Sequence, residues 1–129
     1  MLDQATTSTI EAAVRSAAED YCRALHEADV DRLAQIFHEE SNLYASQDDV
    51  LILWPRRVFL DRVASRKPGE GAPRYEIEAV DVAGPEMASV RLSVSVGERR
   101  FTDYLNFLRV AGEWRVIGKI FRVADGPKL

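Results

Sequence analysis

Three observations in this 129-residue chain predict an α+β domain, with a curled antiparallel sheet wrapped around helices that come before it. A capping-box pattern, Ser8-Thr9-Ile10-Glu11, leads into a long stretch of apolar residues at helical spacing. Ala83-Gly84-Pro85-Glu86, Gly97-Glu98 and Ala111-Gly112 cut everything after Arg74 into four strand-length segments, the pattern of a meander of hairpins. Helices gathered ahead of strands imply one sheet packed on one helical layer.

The first helix carries Ile10, Val14, Ala17, Ala18, Tyr21 and Leu25 on one face and is predicted to reach about His26. Asp29 caps a shorter helix with Val30, Leu33, Ile36 and Phe37 on one side. Leu43–Ser46 and Val50–Trp54 flank the polar turn Gln47-Asp48-Asp49 and read as a short hairpin. Pro55 suits the first turn of a third helix, which Val58, Phe59 and Val63 continue to about Arg66. Lys67–Pro73, with two prolines and two glycines, is a loop. The expectation is therefore three N-terminal helices, two short strands and four long ones. They form one domain over 1–129, with 1–7 and 124–129 frayed.

Composition excludes several classes. Hydrophobic residues make up 47% of the chain, and 17 basic side chains face 21 acidic ones, for a net charge of -4. That balance disfavours a protein that neutralises nucleic-acid phosphates, so no nucleic-acid partner is expected. The longest apolar run, Val50–Trp54, falls far short of the ~20 residues of a membrane helix. With the single cysteine Cys22 and no secretory signature at the start, the expected location is cytoplasmic and not a membrane.

Turn geometry sorts the strands into faces. A two-residue loop at Gly97-Glu98 pairs Val96 with Arg99 and sets Leu92 opposite Asp103. A second at Ala111-Gly112 pairs Val110 with Glu113 and, with unbroken alternation, sets Ile120 on the other side of Asp103. The core face then holds Val90, Leu92, Val94, Phe101, Leu105, Phe107, Trp114, Val116, Gly118 and Ile120. The polar face holds Tyr104, Asn106, Ile117, Lys119 and Phe121.

Asp103 is the exception on the core face. A lone carboxylate there costs several kcal/mol unless paired, hydrated or protonated. It reads either as a buried aspartate satisfied by a neighbouring polar group, or as the floor of a ligand cavity. Gly118 removes a side chain nearby and favours a cavity, although a strand glycine also marks bends. Tyr104 falls on the opposite face and is excluded as its partner. Cys22 and His26, four apart, read as a buried thiol and a helix-end imidazole rather than a catalytic pair. His38-Glu39-Glu40 lacks metal-site spacing, so neither a metal nor a cofactor is expected. Arg56, Arg57, Arg62, Arg66 and Lys67 read first as a solvated face. Arg122 ends the core face and reads as a rim residue or a contact for an anionic ligand.

Three stretches resemble a known family. Tyr21 through Phe37-His38 is similar to the first helix, aspartate turn and phenylalanine–histidine ending of nuclear transport factor 2-like proteins. Phe101–Leu105 and Gly112–Phe121 resemble the closing strands of the bacterial lumazine-binding branch, close to the SnoaL-like polyketide cyclases. The resemblance implies a cystatin-like cone with an internal pocket. Its members include isomerases, dehydratases, cyclases and binding proteins, so fold does not set activity. In the steroid isomerase-like members a carboxylic acid and a tyrosine stabilise an oxyanion. Asp103 lies near that acid's strand position, and no tyrosine is assigned beside it.

The expected function is binding of a small apolar molecule in a pocket lined by Tyr21, Phe37, Trp54, Phe59, Phe101 and Phe107 and anchored by Asp103. One alternative is an isomerase, cyclase or dehydratase acting on a small apolar carbonyl compound, with a protonated Asp103 as the catalytic acid. The other is a dimeric interaction module with a vestigial pocket. A homodimer through the outer sheet face is the expected assembly.

Overall fold

The computed structural model describes residues 3–129. Helix α1 spans Gln4–Glu27, α2 Val30–Ile36 and α3 Arg56–Ala64. Strands β1 Phe37–Gln47, β2 Val50–Pro55, β3 Tyr75–Val82, β4 Met87–Val96, β5 Arg99–Val110 and β6 Glu113–Asp125 form one sheet. Its order is β2-β1-β6-β5-β4-β3, an open, curled α+β arrangement. Every neighbouring pair is antiparallel except β1 and β6, which run parallel.

Local chemistry explains the boundaries. Asp3, rather than Ser8, caps α1, accepting a hydrogen bond from the Thr6 amide at 2.8 Å. The helix therefore starts one turn earlier than the capping box implies, and residues 4–7 are helical. Asp29 caps α2 as expected, accepting from the Arg32 amide at 3.1 Å. The β1–β2 turn places Asp48 and Asp49 at φ 53° and 66°, and the β5–β6 turn places Ala111 and Gly112 at 51° and 80°. Two consecutive left-handed residues make the hairpin turn whose twist matches the flanking strands. Strand β6 continues to Asp125. Beyond it, Lys128 pairs with Asp48 at 2.8 Å and the Leu129 amide donates to Gln47 at 2.9 Å. These contacts tie 124–129 to the β1–β2 hairpin.

The helices pack across the concave face of the sheet, α1 over β3 and β4 and α3 against β1 and β2. Val14, Ala18, Tyr21, Leu33, Phe37, Leu43, Val90, Leu92, Leu105, Phe107 and Val116 make the fully buried core between the layers.

One register differs from the sequence expectation and changes which residues face inward. Between β5 and β6 the pairing follows Val110↔Glu113 as far as Phe107↔Val116, then resumes at Asn106↔Gly118. Ile117 is the extra residue of a β-bulge. From there to Val123, every β6 side chain is exchanged between faces, until a second shift between Phe101 and Arg100. Asp103 pairs with Phe121 rather than Ile120, and Leu105 pairs with Lys119. Lys119 and Phe121, assigned to the polar face, are buried, whereas Ile120, assigned to the core, is 54% exposed. Arg122 is also exposed and lies off the core face.

This register has a direct test in urea unfolding. Phe121→Ala is expected to cost about 3–5 kcal/mol, as for a truncated core aromatic. Arg122→Ala should stay within about 0.5 kcal/mol of the parent, as for a surface change. Unbroken alternation would reverse the two.

Candidate functional site

The centre of the site is a buried polar chain of three side chains from three elements. Tyr21 points inward from α1, Asp103 from the middle of β5, and Lys119 from β6 just past the bulge. The Tyr21 hydroxyl donates to Asp103 Oδ2 in a short, buried hydrogen bond. The Lys119 ammonium donates to the Tyr21 oxygen at 2.8 Å, with its Nζ 3.6 Å from Asp103 Oδ2. Asp103 and Tyr21 are fully buried and Lys119 is 5% exposed. Asp103 Oδ1 is buried with no hydrogen-bond partner among the described residues.

Asp103 is thus paired through Oδ2 with a phenol and a cation, in line with the buried-aspartate alternative of the sequence, and the tyrosine left unassigned there is Tyr21. The tyrosine comes from α1, 82 residues away in sequence. Opposite charge nearby supplies the compensation a buried carboxylate requires. Burial, reinforced by the negative charge and hydrogen bond of Asp103, pushes the Tyr21 phenol well above its usual range. Burial pulls the Lys119 ammonium down, against the opposing attraction of Asp103. Its charge also lies against aromatic faces, 4.9 Å from the Phe59 centroid, 4.7 Å from Phe121 and 5.2 Å from Tyr21.

Above Lys119 opens a cavity of about 780 Å³ between α3, the loop that follows it and the inner ends of β4, β5 and β6. Trp54, Phe59, Phe101 and Phe121 are its aromatic walls, and Lys119 is the member of the polar chain that reaches it. Phe121 stands between Trp54 and Phe101, with ring centroids 5.3 and 6.1 Å away, which makes the wall continuous. The loop lies beside the end of α1 through His26. The Gly69 amide donates to the His26 carbonyl at 2.7 Å, and the His26 ring contacts the Gly71 carbonyl at 2.9 Å. Gly69 lets the loop pass close to the His26 ring, which a Cβ there would push aside.

Of the seven residues named from sequence, Trp54, Phe59 and Phe101 line this cavity. Tyr21, Phe37, Asp103 and Phe107 do not. They are buried in the core, Phe37 packing between Tyr21 and Phe59 in tilted contacts at centroid distances of 5.7 and 5.0 Å. Sequence reasoning missed Lys119 and Phe121, the residues that the bulge turns inward. The available signal was Ile117-Gly118, because a glycine within a strand marks a bulge.

The remaining candidates resolve simply. Cys22 is fully buried, and burial together with the Asp103 charge raises its thiol far above the ordinary range, so it is not an activated nucleophile. The His38 Nδ1 accepts from the Glu40 amide at 3.0 Å. No cluster of three metal-ligating side chains occurs among the described residues. The basic cluster divides: Arg56 donates to the Ala34 carbonyl at 2.9 Å and Arg57 faces Asp61 at 4.0 Å, while Arg62, Arg66 and Lys67 line the cavity.

Removing one partner of a buried ion pair strands the other. Asp103→Leu and Lys119→Met are each expected to cost about 3–5 kcal/mol in chemical denaturation. The double variant should recover most of the combined loss, because both charges then leave together. Additive losses would show that the two groups are not coupled.

Comparison with known proteins follows the same lines. The chain is similar to an NTF-2 like protein of unknown function from Silicibacter pomeroyi DSS-3, at 26% identity and a TM-score of 0.83, covering 91% of this chain and 98% of that one. It is similar to an NTF2-like protein of unknown function from Shewanella baltica OS155, at 21% identity and a TM-score of 0.83, over 98% and 100% of the two chains. A ketosteroid isomerase-like protein from Erwinia carotovora atroseptica shares the fold at 15% identity and a TM-score of 0.70, over 89% and 96%. No curated protein matches the chain. The model of the family described as "Putative lumazine-binding" matches residues 9–122, and the chain belongs to that family, within the NTF2-like, cystatin-like fold.

Proposed function

We propose that this protein binds a small, flat, largely apolar molecule in the cavity between α3 and the inner sheet, with Lys119 as its polar anchor. The observation that carries this reading is a buried lysine, held from behind by Tyr21 and Asp103, at the base of an open aromatic-walled cavity. Ligand sites combine apolar walls with a few placed polar groups in just this way, and about 780 Å³ lies within their usual range of roughly 300–1,000 Å³. A flat heterocycle such as the lumazine of the family's description suits these walls.

The enzymatic alternative, with Asp103 as an acid acting on a carbonyl substrate, has less support. Asp103 is fully buried and does not line the cavity, so a molecule there meets Lys119 first. Asp103 fits the role of a positioning residue. For partners, we propose a second copy of this chain on the outer sheet face, where the register partners Tyr104 and Ile120 are 46% and 54% exposed. The single buried Cys22 is compatible with a reducing, cytoplasmic setting, and no described helix is long and apolar enough to cross a membrane.

Trp54 reports on the cavity directly. In a Trp114→Phe variant it is the remaining tryptophan of two. Its fluorescence is expected to change saturably as flat aromatic compounds are titrated, and a signal unmoved by any of them up to millimolar concentration contradicts ligand binding. For the assembly, sedimentation equilibrium at micromolar concentration should give a dimer mass that Ile120→Glu reduces to a monomer. A monomeric parent protein overturns the dimer.

A further inference from the structure

Resting on the ligand-binding reading, we infer that the cavity selects an anion: a planar aromatic acid whose negatively charged group lies against Lys119 and Arg66. The whole chain is acidic, at net -4, yet among the described residues Arg62, Arg66, Lys67, Arg99 and Lys119 line the cavity against only Glu70 and Glu98. An acidic protein that gathers its cations around one concave, apolar-walled space creates a local potential opposite to its overall charge.

Several of these cations lack a carboxylate partner. Arg62, Arg66 and Lys67 make no salt bridge among the described residues, although other arginines of the chain pair with acids, as Arg91 does with Glu78 at 2.8 Å. Arg62 lies over the Trp54 ring at 4.3 Å, so a cation backs one aromatic wall. Arg66, half-buried, donates through one guanidinium nitrogen to the Leu25 carbonyl at 3.2 Å, which fixes the group while leaving its other donors unassigned. Lys119 uses one proton on Tyr21 and stands too far from Asp103, at 3.6 Å, for a full hydrogen bond. Arg66 and Lys119 both line the cavity, so two like charges border the same space. An anion in that space offsets the excess positive charge and accepts charge-assisted hydrogen bonds from the donors these side chains leave free. The aromatic walls supply the other half of the specificity, a flat apolar body.

Two dyes with a common aromatic skeleton separate the elements of this inference. Anilinonaphthalene sulfonate carries an anion and phenylnaphthylamine does not, and both report binding by fluorescence. The sulfonate is expected to bind about tenfold more tightly or better, the discrimination that one charge-assisted hydrogen bond supplies. The advantage should shrink in Arg66→Gln, in Lys119→Met and at high salt, where screening weakens charge recognition. Arg66→Gln is partly exposed and keeps the test informative if Lys119→Met does not fold. Equal affinity for the two dyes, or a preference that survives Arg66→Gln and salt unchanged, overturns the anion selectivity and leaves the cavity reading intact. Binding of neither dye overturns the cavity reading itself.

Discussion

The Asp103 carboxylate, fully buried in the middle of β5, is the constraint around which this fold is arranged. A charge at that depth persists only where other groups compensate for its lost hydration. The fold supplies a phenol from α1 and an ammonium from β6, which ties the helical layer to the closing strand through one polar contact. Buried ion pairs are seldom the cheapest way to hold a core together, since apolar side chains of similar volume do as well or better. Their presence here is explained by placement. Asp103 and Tyr21 fix a lysine whose ammonium lies against the Phe59 and Phe121 rings, at the lining of the cavity.

The β6 bulge makes this geometry possible. Without the extra residue at Ile117, Lys119 would stand on the outer face and Ile120 would fill the space beside Asp103. The core would then be a conventional apolar one with a stranded carboxylate. One inserted residue therefore converts a strained core position into a charge pair and brings Phe121 into the cavity wall. Bulges commonly re-aim side chains beside functional sites in this manner.

Much of the architecture was legible in the sequence because periodicity and turn chemistry are local properties. The helix at Asp29, both hairpin turns of the last three strands and the pairing of Leu92 with Asp103 follow from residues close in the chain. Asp103 stood out for the same reason, as a charge in an apolar alternation. What was not legible depends on contacts distant in sequence. Tyr21 could be placed on a buried helix face, but its partner lies 82 residues away. Lys119 was lost to a register slip that Gly118 hinted at. The basic residues of α3 could not be separated into structural and cavity-facing members without the fold, because Arg56 and Arg66 look alike until their carbonyl partners are known.

Kinship with NTF2-like proteins accounts for the cone and its pocket, while the chemistry inside belongs to this chain's own side chains. The central claim is that Asp103 acts through Lys119 rather than on a ligand directly. A crystal structure of the protein bound to anilinonaphthalene sulfonate tests it most directly. Sulfonate oxygens are expected within hydrogen-bonding distance of Lys119 Nζ, with Asp103 still behind Tyr21. A ligand whose polar group touches the Asp103 carboxyl, or one seated away from Lys119, would contradict it.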